Sequence, residues 1–559
     1  MPDPQKSYKS EPIDLSRLTK AKLGSMAYTQ VTEGDLQGSI IQLIHLLVYL
    51  DIAEISDESY AQLRAIYATP PDKVTAAQVM AFKNIINNEL VILDQNKFIR
   101  SLGDTVCEKP NKTKSNNDFY MLFLFHKILN KEILLSNHDF EFLNAWRKRD
   151  IFRRDWYKQT NWEEKHTEMA YTLRVGLANF LERKIVTQAE VDKLVIEGFL
   201  PSLKLISYSD EATTLKYFQH APCQPMIAAK NLANHYKIPF DDSSKEKFCE
   251  TLNQINIKFK QDLVSGKFYH EIGEQEQNFH KGKNRIKKEI EAIIKLNGAL
   301  KKSQVQQIYA DLQKLYDENP LYATIWRRVD EKIKIKLDNG DVLTLVCPTL
   351  PKSDNTAEFY WLNRPDLISI EIYVQPVKLP FPILAVVGHD KNTFLNGYSL
   401  DTNLGTVEKG HHRLDFSTGI TPAFKPHQEE KQEEAPIKVK KLKLLRELST
   451  LQNIREDEES SPDMAKTFMR FFRSLEVMPH KTYDVKIEAI KKLREKINDI
   501  PGPPFEPDEI AALTDGRTLD ILKKYRDILP EQLKLAIPLV REEVLPKPAQ
   551  IAAGARATK

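Results

Sequence analysis

The clearest alternation of apolar and polar residues lies at 332–346, where two short runs flank Asn339-Gly340. Apolar side chains fall at every second position in both runs, which is the period of a strand with one buried face. Asn-Gly tolerates the positive φ values of a tight hairpin turn. The pattern predicts a β-hairpin, and further runs at 359–362, 367–377 and 382–387 extend it to an antiparallel sheet of about five strands.

Most of the remaining chain repeats its apolar residues at helical spacing. A stripe at 40–50 follows Asp35, which we expect to cap the helix. Later stripes at 286–296 and 305–316 predict two helices folded back as a hairpin. Gly298 lies where the first of these should end, since glycine readily adopts the left-handed conformation that terminates helices.

These patterns predict a mainly α, multidomain protein with helical bundles, one central α+β module built on an antiparallel sheet, and a helical C-terminal region. The expected divisions are a flexible arm at 1–34, a small helical bundle at 35–110, an extended helical domain at 118–330, the sheet module at 331–421, a linker at 422–436, a C-terminal helical domain at 437–547 and a disordered tail at 548–559.

Composition narrows the classes of partner. Lys and Arg number 81 against 78 Asp and Glu, so the formal charge of +3 predicts no bulk attraction to nucleic acid or membrane. The most apolar run, 40–50, is too short to cross a bilayer. Any electrostatic binding must therefore come from local clusters.

The cysteines indicate the redox compartment. Cys107, Cys223, Cys249 and Cys347 lie far apart and form no Cys-x-x-Cys pair. This spacing favours neither a disulfide framework nor a cysteine zinc site, so we expect a reducing, cytoplasmic location. The N-terminus carries no signal-peptide pattern, and a secretion route that reads a C-terminal tail would leave no mark in these features.

A cluster of basic and aromatic residues at 146–158 is the sharpest local feature. Guanidinium groups bind phosphate, and aromatic rings stack on bases or sit at a lipid interface. One interpretation is therefore a protein surface that binds phosphate, lipid or RNA. A solvated helix end is the other. The candidate anion-binding residues are Arg147, Lys148, Arg149, Arg153 and Arg154.

The candidate catalytic residues are Cys347, His389, Asp390 and His411. A cysteine followed by a histidine and a carboxylate can supply a nucleophile, a base and an orienting group. Pro348 follows Cys347, however, so the next residue has no backbone N–H for an oxyanion hole. A buried strand cysteine is the alternative.

Histidine and aspartate also bind metals, so a metal site at His389, Asp390, His411 and His412 is a further alternative. Adjacent strand residues point to opposite faces, so only one of His411 and His412 can join a shared site. These residues do not have the spacing that is typical of metal-ligand motifs. The sequence also contains neither a Walker A loop nor a Gly-x-Gly-x-x-Gly fingerprint. We therefore expect no metal and no cofactor.

The sequence-based hypothesis is a non-enzymatic interaction or regulatory protein that presents helical surfaces to a protein partner, with an anionic contact surface as an added feature. The alternative is a hydrolase or transferase with its site in the turns of the 331–421 module.

Overall fold

A computed structural model describes residues 8–20, 28–106, 118–128, 130–152, 176–337, 340–352, 354–362, 369–389, 397–401, 409–419, 444, 448, 481–497, 504–514, 516–526 and 529–537. Within these residues the strands are β1 Tyr8–Asp14, β2 Gln30–Glu33, β3 Ala53–Glu54, β4 Val91–Ile92, β5 Phe98–Ser101, β6 Lys131–Leu134, β7 Leu203–Lys204, β8 Ile206–Asp210, β9 Leu215–Gln219, β10 Asp330–Lys336, β11 Val342–Pro348, β12 Thr356–Trp361, β13 Ile370–Tyr373, β14 Ile383–Val387, β15 Gly397–Ser399 and β16 Lys409–Ser417.

The helices of the described residues are α1 Ile40–Tyr49, α2 Asp57–Ala68, α3 Ala76–Asn84, α4 Asp118–Lys127, α5 Asn137–Phe152, α6 Leu177–Glu182, α7 Gln188–Lys193, α8 Leu200–Ser202, α9 Pro225–His235, α10 Lys245–Ser265, α11 Lys267–Asn297, α12 Lys302–Glu318, α13 Pro320–Trp326, α14 Lys481–Ile497, α15 Pro507–Leu513, α16 Gly516–Lys524 and α17 Glu531–Ala536. Two π-helical turns, Ile85–Glu89 and Leu194–Phe199, continue α3 and α7.

Two compact units share the chain, one at 1–426 and the other at 427–559. The second contains α14 to α17 and its own apolar cluster, which includes Leu444, Leu448, Leu493 and Leu522. The limits of the smaller expected domains stay a prediction. No helix among the described residues is both long and apolar enough to cross a membrane.

Two sheets in the first unit contain the strands that the candidate site residues follow. One has the order β1-β16-β2-β5-β6-β7, and its strands β2, β5, β6 and β7 are parallel. The other has the order β15-β14-β9-β8, with β14 parallel to both β9 and β15. Side chains of the two sheets meet, since the Arg100 guanidinium lies 3.8 Å from the Phe218 ring centre and Gln30 Nε2 donates to Ser209 Oγ at 3.3 Å.

A third sheet, β10-β11-β12-β13, is antiparallel and packs on α11 and α12. It contains the hairpin predicted from sequence, with Ile333 opposite Leu345 and Lys336 opposite Val342. The hairpin is therefore confirmed. Its turn is shifted from the expected one, because the Gly340 N–H donates to Leu337 O at 3.0 Å and Gly340 itself has φ of 90°.

The helical hairpin predicted after residue 286 is also present. Ile286, Ile290 and Ile294 of α11 are buried against Val305 and Leu312 of α12. Helix α11 ends at Gly298, which has φ of 68° and donates its N–H to Ile294 O at 2.8 Å. Local sequence was sufficient to predict this hairpin, because the apolar stripe and the glycine that ends the helix lie within about one turn of each other.

The mainly α fold class with a single central sheet module is wrong. Strands of the sheets run from Tyr8 to Ser417, and the described part of the chain is a mixed α/β protein with several sheets. The strands that we placed together at 331–421 are divided among three sheets: β14 and β15 join β9, and β16 joins β1 and β2. Asp35 is also not the cap of α1, since Ser39 accepts from the Gln42 N–H.

The missed strands are short and carry buried polar side chains. β2, β5 and β6 have four residues each, among them Glu33, Arg100 and Glu132, which are all nearly inaccessible to solvent. A buried strand is expected to read as an apolar run, and these do not. Their polar groups satisfy one another only after the two sheets come together.

Candidate functional site

Six polar residues lie at one end of the two sheets, each one to three residues after a strand. Asp35, Asp104 and Asn137 follow the parallel strands β2, β5 and β6. The other three, His220, His389 and Asp401, follow the parallel strands β9, β14 and β15. Ligands of α/β proteins bind outside the carboxyl ends of parallel strands, and this is such an edge.

The centre of the site is a buried cluster of Asp35, His220 and His389, whose potential ligand atoms lie within 4.8 Å of one another. His220 Nε2 is 3.1 Å from His389 Nδ1, and His220 Nδ1 is 3.7 Å from Asp35 Oδ1. The His389 N–H donates to His220 O at 3.0 Å, which fixes the two residues relative to each other.

The hydrogen bonds of His220 determine which of its nitrogens carries the proton. Nδ1 lies 2.7 Å from Leu102 O, and a carbonyl oxygen can only accept, so Nδ1 bears the hydrogen. The lone pair of Nε2 then faces Asn137 Oδ1 at 3.1 Å. Nε2 also lies 3.1 Å from His389 Nδ1, so either a proton on that nitrogen or a bound cation satisfies this lone pair.

Asp104 joins this cluster to its neighbours. One carboxylate oxygen lies 3.8 Å from His220 Nε2, and the other lies 3.8 Å from His138 Nε2. Gln37 Nε2 donates to Asp104 Oδ2 at 3.2 Å. Gln37 and Asp104 have φ of 50° and 48°, a left-handed conformation that is costly for non-glycine residues and concentrates at functional sites.

Asp139 holds the loops of the site in place. Its carboxylate accepts from the N–H groups of Thr105 and Val106 at 3.1 Å and 3.2 Å, and from Ser136 Oγ at 2.8 Å. Ser136 Oγ in turn accepts from the Asp104 N–H at 2.9 Å. The loop after β5 and the start of α5 are thereby fixed together.

The electrostatics of the site favour a bound cation. Burial raises the pKa of Asp35 well above its usual range, and the negative charges of Asp104, Asp401 and Asp139 raise it further. Burial also raises the pKa of Asp139 to about 7. The pKa of His220 is lowered, chiefly by burial. Crowded buried carboxylates beside a neutral imidazole are stable when a positive ion compensates them.

A divalent cation fits this set of residues. Asp35 Oδ1 is buried and has no hydrogen-bond partner, and the histidine Nε2 and asparagine Oδ1 atoms are suitable ligands. Within the described residues, Asp35, His220 and His389 are the group of at least three ligand residues that meets this geometry.

Glycines make the close approach of the site residues possible. A Cβ on Gly388 would lie 2.2 Å from Asp35 Oδ1, and a Cβ on Gly103 would lie 2.6 Å from His220 Nδ1. Gly103 also has φ of 115°. Because Gly388 precedes His389 and Gly103 precedes Asp104, each glycine belongs to the same turn as a site residue.

The structure separates the catalytic candidates that were taken from sequence. His389 lies in the cluster. Cys347 lies in β11 within the apolar cluster of α11 and α12, and burial raises the pKa of its thiol. His411 is exposed on β16, whereas His412 is buried, as expected for adjacent strand residues. Asp390 lies outside the described residues.

Arg147 is the one proposed anion-binding residue whose side chain is described. It is exposed, donates from Nη1 to Gly266 O at 3.4 Å and lies 4.8 Å from the Tyr269 ring centre. The side chains of Lys148 and Arg149, and all of Arg153 and Arg154, fall outside the described part. Anion binding by this group stays a prediction.

Sequence reasoning missed Asp35, Asp104, Asn137, His138 and His220. A signal was available, since Gly34-Asp35, Gly103-Asp104 and Gly388-His389 repeat a glycine followed by a ligand-type residue. The strands before them are short, so this repetition could not be tied to strand ends without the fold.

Comparison with known proteins bears on this site. Residues 98–346 match the family model of the WipA-like phosphatase domain. A solved structure, the phosphatase domain from the Legionella effector WipB, is 20% identical and covers 65% of this chain and 100% of its own, with a TM-score of 0.43. A search of curated proteins finds no match.

The hypothesis of a non-enzymatic helical interaction protein is wrong. The match to a phosphatase-domain model, which spans Asp104, Asn137 and His220, favours an enzyme. The alternative of a hydrolase or transferase agrees better with this finding.

Proposed function

We propose that this protein is a phosphatase that hydrolyses phosphate monoesters at the site formed by Asp35, Asp104, Asn137, His220 and His389. The observation that carries the proposal is the buried convergence of Asp35, His220 and His389 inside a unit whose residues 98–346 resemble a phosphatase domain. Phosphoryl transfer requires stabilisation of negative charge on phosphate oxygens, and this cluster is suited to hold the ion that provides it.

Asp35, Asp104, Asn137, His220 and His389 would hold a divalent cation. A bound cation supplies charge neutralisation for the phosphate oxygens and lowers the pKa of the attacking water. The protein residues keep the site dry and ordered: Leu102 O fixes the tautomer of His220, and Asp139 fixes the loop that carries Asp104.

Positive potential for the phosphate comes from the protein as well. Helices α1 and α5 both begin in loops of the site, and helix N-termini attract anions. Arg328 is exposed, and its positive charge contributes to lowering the pKa of His220, which places it within electrostatic range of the cluster.

His138 is the proton donor of the proposed reaction. It is buried in the first turn of α5 with Nε2 3.8 Å from Asp104 Oδ2, which places the imidazole beside the residues that would hold the cation. Water attacks phosphorus and releases a proton to solvent, the bond between phosphorus and the ester oxygen breaks, and that oxygen takes the His138 proton. His138 regains a proton from solvent before the next turnover. The products are an alcohol and inorganic phosphate.

The test is hydrolysis of p-nitrophenyl phosphate by the full chain. We expect EDTA to remove activity and Mn²⁺ to restore it, and Asp104→Asn to lower kcat/KM more than about 100-fold, because it removes a charge at the centre of the site. Asp72→Asn, an exposed carboxylate, is the control and should retain full activity.

Wild-type protein that folds but hydrolyses no phosphate ester with Mn²⁺, Mg²⁺ or Zn²⁺ would contradict the proposal. Equal activity of wild type and Asp104→Asn would do the same.

A further inference from the structure

The segment after β15, residues 399–401, connects the two halves of the site. Leu400 O is so close to Gly34 that a Cβ there would lie 2.2 Å from it, and the Leu400 N–H donates to Val387 O at 2.9 Å. Gly34 precedes Asp35, and Val387 precedes Gly388 and His389. The segment therefore contacts both of the turns that carry cation ligands.

Ser399 and Arg413 fix the backbone of this segment. Ser399 Oγ donates to Gly388 O at 3.1 Å and accepts from the Asp401 N–H at 3.1 Å. Arg413 Nη1 donates to Asp401 O at 3.1 Å. These bonds use the main chain of Asp401, so a change of its carboxyl group leaves them intact.

Asp401 lies in the segment that contacts both ligand turns and has little access to solvent. The residue is 6% exposed. Burial and the negative charge of Asp104 raise the pKa of Asp35 most, and the negative charge of Asp401 has the next largest effect. A charge with this effect adds to the attraction that the site exerts on a cation, because buried charges are screened little.

We propose that Asp401 is a positioning residue of the cation site, whose fixed negative charge strengthens divalent-cation binding by Asp35 and His389. The inference rests on the proposed function, since it takes the cluster to be a cation site. The main-chain bonds of residues 399–401 place the charge, and the carboxylate supplies it. Neither the family match nor the ligand cluster includes this residue.

The first experiment measures Mn²⁺ binding to the metal-stripped full chain by calorimetry. We expect Asp401→Asn, which keeps the size and the main-chain bonds, to raise the Mn²⁺ Kd about 10-fold, the range seen when groups behind metal ligands are removed. Asp401→Glu, which restores the charge, should recover most of the affinity. Asp72→Asn serves as the control and should bind as wild type does.

The second experiment separates an electrostatic role from a structural one. In the metal-free protein the carboxylates of the site repel one another, so Asp401→Asn should leave Tm equal to or above that of wild type. The rise in Tm on addition of Mn²⁺ should be smaller in Asp401→Asn than in wild type, because a protein that binds the ion more tightly is stabilised more by it.

An unchanged Mn²⁺ Kd in Asp401→Asn would overturn the inference while leaving the proposed function in place. A weaker Kd together with a lower Tm of the metal-free variant would also overturn it, since this result indicates a structural role. Wild-type protein that binds no Mn²⁺ would remove the proposed function and this inference together.

Discussion

Several fully buried side chains of this protein are titratable, and each depends on a small set of partners. One such set links Thr19 to Glu33 through two histidines. Thr19 Oγ1 lies 3.2 Å from His45 Nε2, His45 Nδ1 lies 3.2 Å from His412 Nε2, and His412 Nδ1 lies 3.0 Å from Glu33 Oε1. One choice of tautomers satisfies these three contacts, with every proton donated toward the Glu33 carboxylate.

This chain of hydrogen bonds predicts that the folded protein loses stability in acid. Burial and the neighbouring His412 lower the pKa of His45 from 6.5 to about 3. Below pH 6.5 the unfolded state binds a proton at His45 that the folded state does not, so this contribution to stability is complete above pH 6.5 and is lost as the pH falls toward 3. At pH 5 the loss should be about 2 kcal/mol.

The measurement is urea unfolding of wild type and His45→Gln between about pH 7.5 and about pH 5, a range that includes the ordinary histidine pKa. The free energy of unfolding of wild type should fall more steeply than that of the variant. Parallel pH profiles would contradict the assignment of a neutral, buried His45.

His138 offers a second residue-scale prediction. A general acid matters most when the leaving oxygen is a poor leaving group, because that oxygen then needs the proton in the transition state. His138→Asn should therefore lower kcat about 100-fold or more on an alkyl phosphate and much less on p-nitrophenyl phosphate. Equal losses on both substrates would indicate a role for His138 in binding or folding.

At the scale of elements, a buried ion pair joins strands that local sequence did not reveal. Arg100 of β5 donates from Nε to Glu132 of β6, from Nη1 to Thr32 of β2 at 3.0 Å and from Nη2 to Gln30 at 3.1 Å. Lys204 of β7 pairs with Glu132 at 2.5 Å. The four parallel strands are thus linked by side chains as well as by their main-chain ladder.

Removing one partner of this pair should be costly. Arg100→Met leaves the Glu132 carboxylate buried with less compensation, and we expect it to lower the free energy of unfolding by about 3 kcal/mol. Arg100→Met combined with Glu132→Gln should recover part of that loss, since the uncompensated charge is gone. Chemical unfolding of the three proteins checks this. A double variant less stable than Arg100→Met would contradict the account.

At the scale of the whole molecule, the site residues from Asp35 to Asp401 all belong to the unit at 1–426, which has its own cores. A unit with its own core can fold alone. We expect residues 1–426, produced without the remainder, to unfold cooperatively and to keep the kcat/KM of the full chain for p-nitrophenyl phosphate. Loss of activity in a folded fragment would show that residues 427–559 contribute to catalysis.

The sequence by itself determined the elements whose signals are local. The hairpin at β10 and β11, the stripes of α11 and α12 and the helix end at Gly298 each depend on residues within a few positions of one another. Periodicity and turn chemistry act at that range, so these elements could be predicted.

Only the tertiary structure decided where the site lies. Asp35, His220 and His389 meet because β2, β9 and β14 end at the same edge of two sheets, and no local pattern encodes that pairing. The buried charges of β5 and β6 likewise resemble exposed polar residues until Arg100 and Glu132 find each other. Burial and convergence are properties of long-range contacts, which is why a sequence that looked helical and non-catalytic folds into a mixed α/β protein with a candidate phosphatase site.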